Sequence, residues 1–435
     1  MNKTKTNIGA MVILAMMFFI FGFVSWVNSI LIPYFRICCE LTHFESYFVT
    51  FAFYIAYFIM AVPSGILLKK LGFKTGIMIG FILMATGMFI FTPAALSREF
   101  IVFLVGLFLI GTGLAILQTA ANPYVTIIGP IESAAKRISI VGICNKFAGI
   151  ISPLVFAALV IKPQDKAVMD LVESGTLDAA TKAMYLDELI RGVMVPYAVL
   201  GAFLLLFGVF IKMSSLPEID TETENADEGD AESRKSVFSY PYLVLGALAI
   251  FFQVGSQIVA IDTVINYADT MGVDMLEAKV FPSYTLGCTL IGYLIGIVII
   301  PRFITQRQAL IGCSVLGLIL SLCAVLVDCP VVFFGHHINL SLLFLCALGF
   351  PNALIYASIW PLSIHNLGRH TKTGSSLLIM GLCGNAIMPQ IYGFVAQHTS
   401  FRAGYWVLVP CFLYLIFFAL KGCKINYWRD PSCID

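Results

Sequence analysis

The sequence predicts an all-α membrane protein with 12 transmembrane helices, arranged as two bundles of six. Three observations carry this expectation. Only 12% of the chain is charged while 59% is hydrophobic, and the mean hydropathy is +0.93. A soluble domain carries about 25% charged residues, so this chain must be solvated by lipid for most of its length. Second, twelve apolar segments reach the roughly 20 residues that a helix needs to cross ~30 Å of hydrocarbon. Third, a polar stretch, Ser214–Ser236, divides the chain six segments from either end.

The segments begin near Ile8, Ser46, Lys74, Phe100, Ile138, Val193, Tyr242, Ala278, Ala309, Asn339, Ser375 and Gly404. The first is not a cleaved signal peptide, because its apolar run continues past Phe23 without a small-residue cleavage site. None of the runs alternates polar with apolar residues, which excludes barrel strands. The dividing stretch holds eight carboxylates (Glu218, Asp220, Glu222, Glu224, Asp227, Glu228, Asp230 and Glu232) and reads as a solvated tether. The expected organisation is therefore an N-terminal bundle over 1–213, an acidic cytoplasmic linker over 214–238 and a C-terminal bundle over 239–435.

Twelve spans put both termini on one side of the membrane. That side collects 17 of the 26 Lys and Arg residues and the other collects 8, which makes the termini cytoplasmic. The remaining one, Lys146, falls inside the fifth span. The formal charge of +1 gives no sign of nucleic-acid binding. The 12 cysteines show no C-x-x-C and no ligand spacing, so free thiols are expected; Cys38 and Cys39 are the pair to check for oxidation. No cofactor, no metal and no enzymatic motif is expected. H-E-x-x-H and G-x-S-x-G are absent, and the six histidines sit mainly near span ends or in loops.

The halves repeat weakly. IVGICN (Ile140–Asn145) in the fifth span matches IMGLCGN (Ile379–Asn385) in the eleventh, each after a short basic loop and before a proline, Pro153 or Pro389. GILLKKLGFKTGIMIG (Gly65–Gly80) pairs loosely with GIVIIPRFITQRQALIG (Gly296–Gly312) at the corresponding junctions. Two parallel six-helix repeats resemble the architecture of major facilitator transporters. Gly65, Lys69, Lys70 and Gly76 resemble that family's loop motif, although its usual acidic residue is missing.

Polar residues inside the spans carry the functional signal. LQTAANPYVT places Gln118 and Asn122 four apart, on one helix face. An unpaired amide in lipid costs several kcal/mol, so that face must look at protein or at water. Contacts between helices and a wet cavity both satisfy it; a set spread over several spans favours the cavity. The set comprises Trp26, Asn28 and Ser29; Asn145 and Lys146; Gln253 and Gln257, then Asp262 and Asn266; Asn352, Tyr356 and Trp360; and Asn385 with Gln390. In the major facilitator fold the first, fourth, seventh and tenth helices line the central cavity, and all four are enriched here. Carboxamides pair a donor with an acceptor, which suits vicinal hydroxyls, and aromatic faces suit the C–H face of a pyranose. The candidate binding residues are therefore Trp26, Asn28, Gln118, Asn122, Asn145, Gln253, Gln257, Asn352, Tyr356, Trp360 and Asn385, around a neutral sugar.

LQTAANPYVT, SAAKRISIVGICNKFAG, FFQVGSQIVAIDT and SIWPLSIHNLGRHTKTGSSLLIMG together resemble the fucose–galactose–glucose:proton symporter family, most like its glucose/galactose and N-acetylglucosamine permease branch. The resemblance spans both halves. It implies a secondary active importer of a neutral hexose in a bacterial inner membrane, working by alternating access with proton symport, as a monomer. It also shows departures. The fucose permease has an Asp where NSIL places Ser29, and a Glu where this chain has Gln118. Its fifth-span Asn matches Asn145, and the Gln three residues earlier becomes Gly142. Both carboxylates nominated for coupling are thus absent. Charged residues at mid-bilayer are functional candidates by default, which leaves Asp262 as the proton site and Lys146, ~12–14 Å into the fifth span by helical rise, as a gating or pairing residue. An uncoupled or sodium-coupled facilitator is the alternative. A non-transporting sugar sensor is a further one, against which the short sequence beyond Lys424 argues.

Overall fold

The computed structural model describes residues 8–127, 134–160, 178–214, 236–300, 303–333, 336–364, 367 and 371–428, so the acidic stretch 215–235 lies outside the description. Among the described residues 12 helices are long and apolar enough to cross a membrane. They are Ile8–Cys38, His43–Leu68, Phe73–Ser97, Phe100–Ala121, Ile140–Val160, Ala179–Met213, Pro241–Asp262, Phe281–Ile299, Gln306–Leu326, Leu340–Ile364, Ser376–His398 and Phe401–Lys424, here the first to twelfth spans. Eleven starts agree with the sequence reading to within a few residues. The sixth begins at Ala179 rather than near Val193. Its first part, Ala179–Arg191, is amphipathic; Leu186, Leu189 and Ile190 are buried while Asp187 and Glu188 stay exposed, and that polar face hides the helix from a hydropathy reading. A second feature without a sequence expectation is a hairpin, β1 (Pro330–Phe333) against β2 (His336–Asn339), between the ninth and tenth spans.

Span packing repeats with a shift of six. The first span packs on the fifth as the seventh packs on the eleventh; the second on the fourth as the eighth on the tenth; the third on the sixth as the ninth on the twelfth. The halves meet where the fifth span packs on the eighth and the second on the eleventh. Glycines set the closest crossings in equivalent places. A Cβ at Gly111 would fall 1.9 Å from the Phe53 carbonyl oxygen, and one at Gly349 would fall 1.9 Å from that of Thr285. Likewise Gly22 lies against the Asn145 carbonyl at 2.0 Å and Gly384 against the Phe251 carbonyl at 2.0 Å. Backbones this close gain dispersion contacts that larger residues would exclude, the main source of helix association in lipid. At the junction of the second and third spans Gly72 turns the chain at φ +77°, a conformation open to glycine.

Two breaks position the site. The first span is interrupted at Val27, between Ile8–Trp26 and Asn28–Cys38. The seventh is interrupted at Thr263, between Pro241–Asp262 and Val264–Asp269. Beyond them lies the end of the molecule that carries the β-hairpin, where Arg402 pairs with Asp328 at 2.7 Å. Bonds from Arg402 and then Asn339 hold the Asp328 carboxyl below the usual carboxylate range.

Candidate substrate and coupling site

The first cluster joins the first and fifth spans. Trp26 Nε1 donates to Asn145 Oδ1 at 3.5 Å, and Asn145 Nδ2 donates to the Phe18 carbonyl at 3.1 Å. The Lys146 ammonium lies 4.2 Å from the centre of the Trp26 ring, within cation–π range, and Lys146 is 8% exposed. Gly149, one turn further, gives the indole its bed: a Cβ there would sit 2.3 Å from Trp26 Cδ1. A Cβ at Gly142, one turn the other way, would meet nothing within 4 Å. There is thus room beside Gly142, one turn from Asn145.

The second cluster crosses the halves. Gln118 Nε2 donates to the Tyr57 hydroxyl at 3.0 Å. The Tyr57 ring stacks on Tyr54 at 5.9 Å and 28°. Tyr356 of the tenth span lies near Tyr57 of the second and Tyr293 of the eighth. Its ring also meets that of Trp360 edge-on at 6.3 Å. Tyr356, Trp360, Gln118 and Asn145 are all half-buried.

The remaining candidates fall elsewhere. Gln253 and Asn352 are 0% and 1% exposed, and they hold the seventh and tenth spans together: Gln253 Nε2 donates to the Asn352 carbonyl at 3.2 Å, while Ser256 Oγ donates to Asn352 Oδ1 at 3.4 Å. Gln257, one turn on, is 9% exposed and Asn385 is half-buried; neither bonds another described residue. Asn28 and Asn122 lie on described helices, but their side chains lie outside the description. Asp262 is fully buried rather than hydrated at an interface. Its Oδ2 accepts from Thr50 Oγ1 at 3.1 Å, and its Oδ1 has no hydrogen-bond partner among the described residues. No cluster of three or more metal-ligating side chains occurs among the described residues. None of the described cysteines, Cys38 and Cys39 included, forms a disulfide with another described residue.

Sequence reasoning placed the second span but missed its polar stripe. His43, Tyr47, Thr50, Tyr54 and Tyr57 recur at intervals of four, three, four and three, which places them on one helical stripe. The signal was present, but tyrosines among the phenylalanines of HFESYFVTFAFYIAY read as one aromatic, apolar run.

A family model described as Major Facilitator Superfamily matches residues 14–384, and the chain belongs to that superfamily. Its relatives and its fold are those of transporters, not enzymes. Within the superfamily it is 31% identical over 427 residues to the glucose/galactose transporter of Brucella abortus, covering 97% of this chain and 96% of the relative. It is also 31% identical over 427 residues to the L-fucose-proton symporter of Escherichia coli, covering 96% of this chain and 94% of the relative. A solved structure of FucP in the outward conformation superimposes with a TM-score of 0.70 at 29% identity, over 94% of this chain and 97% of that one. The resemblance to the fucose–galactose–glucose group read from the motifs thus holds along the whole chain.

Proposed function

We propose that the protein imports a neutral hexose of the glucose or galactose type together with a proton, by alternating access. The observation that carries this reading is the meeting of uncharged polar groups from both halves: Gln118 and Tyr57 from one, Tyr356 and Tyr293 from the other. Trp26, Asn145, Gln257, Trp360 and Asn385 extend the lining, with Asn28 and Asn122 retained from the sequence. A pyranose would lay its C–H face on Tyr356 or Trp360 and exchange hydroxyl bonds with the carboxamides. Gln253 and Asn352 support the lining by tying two of its helices. The basic-residue asymmetry supports cytoplasmic termini in a bacterial inner membrane, with the hairpin end outside. The names of the relatives support glucose and galactose as substrates, and the same chemistry accommodates N-acetylglucosamine.

Asp262 is the proton site in this reading, since Ser29 and Gln118 stand where the fucose permease has carboxylates. Lys146 orients the Trp26 ring. The test is uptake of labelled glucose, galactose, fucose and N-acetylglucosamine into vesicles under imposed proton or sodium gradients. Proton-driven accumulation of glucose or galactose is expected, and Asp262→Asn should abolish accumulation while sparing exchange. Uptake that ignores the proton gradient would leave an uncoupled carrier, and full accumulation by Asp262→Asn would move the proton elsewhere.

A further inference from the structure

The stripe on the second span and the end of the seventh meet as a polar zipper between the halves. The two helices run antiparallel, and their partners are in register. At the inner end Thr50 Oγ1 donates to Asp262 Oδ2 at 3.1 Å. One turn out, Asn266 Nδ2 donates to the Tyr47 hydroxyl at 3.4 Å. A further turn out, Arg36 of the first span pairs with Asp269 at 2.9 Å and contacts His43 Nε2 at 2.9 Å. Behind the zipper Thr263 Oγ1 and the Tyr405 hydroxyl lie 2.9 Å apart, and Tyr392 packs on Tyr47 edge-on at 5.8 Å. All of this lies at the hairpin end, where the zipper joins the two halves.

From this juxtaposition we infer that Thr50 and Tyr47 are positioning residues which close the hairpin end only around a protonated Asp262. The inference rests on the reading of Asp262 as the proton site. Its physical basis is the set of groups facing the acid. Thr50 gives it one hydrogen bond; the phenols of Tyr47 and Tyr54 lie near it on the second span. No Lys, Arg, His, Asp or Glu among the described residues hydrogen-bonds or ion-pairs with it. The charges at the outer end of the zipper, Arg36 and Asp269, are engaged with each other. A carboxylate sealed there would have a single donor and an oxygen without any partner, which is a poor exchange for water. A neutral acid fits the seal. When the end opens, water reaches Asp262 and its proton passes to or from the outer solution. Closure then follows only when the proton is present. On the inner side the path continues through Tyr54 and Tyr57 to Gln118, so the gate and the sugar lining share one helix face.

The experiment compares Thr50→Val, Thr50→Ser, Tyr47→Phe and Asp262→Asn in full-length protein reconstituted into vesicles, reading sugar exchange and proton-driven accumulation. Thr50→Val removes the one donor that favours the carboxylate, so it should keep exchange and carry proton-driven accumulation to higher pH, its half-maximal pH raised by about one unit, a tenfold change in the balance of the two forms. Thr50→Ser should return the profile to that of the wild type, and Tyr47→Phe, which loosens the seal without touching the acid, should lower accumulation at every pH. If Thr50→Val does not fold, Tyr47→Phe still decides. A wild-type pH profile in Thr50→Val and wild-type accumulation in Tyr47→Phe, with Asp262→Asn uncoupled, would overturn the zipper while leaving the proton site intact. Full accumulation in Asp262→Asn would overturn both.

Discussion

Gly22→Ala probes the crossing that builds the indole cluster. A methyl group there would fall 2.0 Å from the Asn145 carbonyl oxygen and 2.9 Å from its Cα, whereas ordinary contact begins at 3.4 Å. Both clashes are with backbone, so no side chain can swing aside. The first and fifth spans must part by about 1.4 Å at this level. The Trp26–Asn145 hydrogen bond, already 3.5 Å long, does not survive such a shift. Overpacking of this kind costs roughly 1–3 kcal/mol, and the lost bond adds about 0.5–1.5 kcal/mol. The expectation is a clear drop in melting temperature and a sugar affinity weakened by about tenfold or more, one factor of ten per ~1.4 kcal/mol. The assays are thermal unfolding of purified protein and binding of labelled glucose or galactose. Gly142→Ala is the control on the facing helix, because its new methyl meets open space. A Gly22→Ala protein with unchanged melting and affinity would refute both the closeness of the crossing and its link to the site.

Three further predictions use other parts of the structure. Gly142→Gln projects a carboxamide into the open space beside Asn145, and should weaken transport of N-acetylglucosamine more than that of glucose, read by competition in exchange assays. Reversing Arg36 to Asp should loosen the hairpin end, and the double exchange with Asp269→Arg should restore transport; for a partly exposed pair the coupling is about 0.2–1 kcal/mol, measured as a double-mutant cycle on exchange rate. Burial pushes the Cys39 thiol up to about 12, against the pull of Arg98. At pH 8 only about one thiol in 10⁴ is then ionised, so a thiolate-seeking reagent should label Cys39 far more slowly than a free thiol, with labelling rising as pH rises.

Much of the fold was legible because its determinants are local. Each span announces itself by length and hydropathy, and the repeat survives in IVGICN and IMGLCGN. The amphipathic start of the sixth span was not legible, since Asp187 and Glu188 break the apolar run that a membrane reading seeks. Within the site, Gln118, Tyr356, Asn145 and Asp262 could be singled out, but not their partners. Gln253 and Gln118 look alike in sequence, each a carboxamide four residues from another. One is locked between two helices, and the other bonds a tyrosine at the meeting of the halves.

The sequence by itself determined that this chain lives in lipid, crosses it 12 times and repeats once, because solvation by hydrocarbon acts on every span separately. Only the tertiary structure decided that Thr50 faces Asp262 across 212 residues of chain and that Lys146 rests on Trp26. Helical periodicity names the face on which a residue lies; which neighbour that face meets is set by the crossing of helices, and the crossing is set by glycines and side-chain shapes on both partners at once.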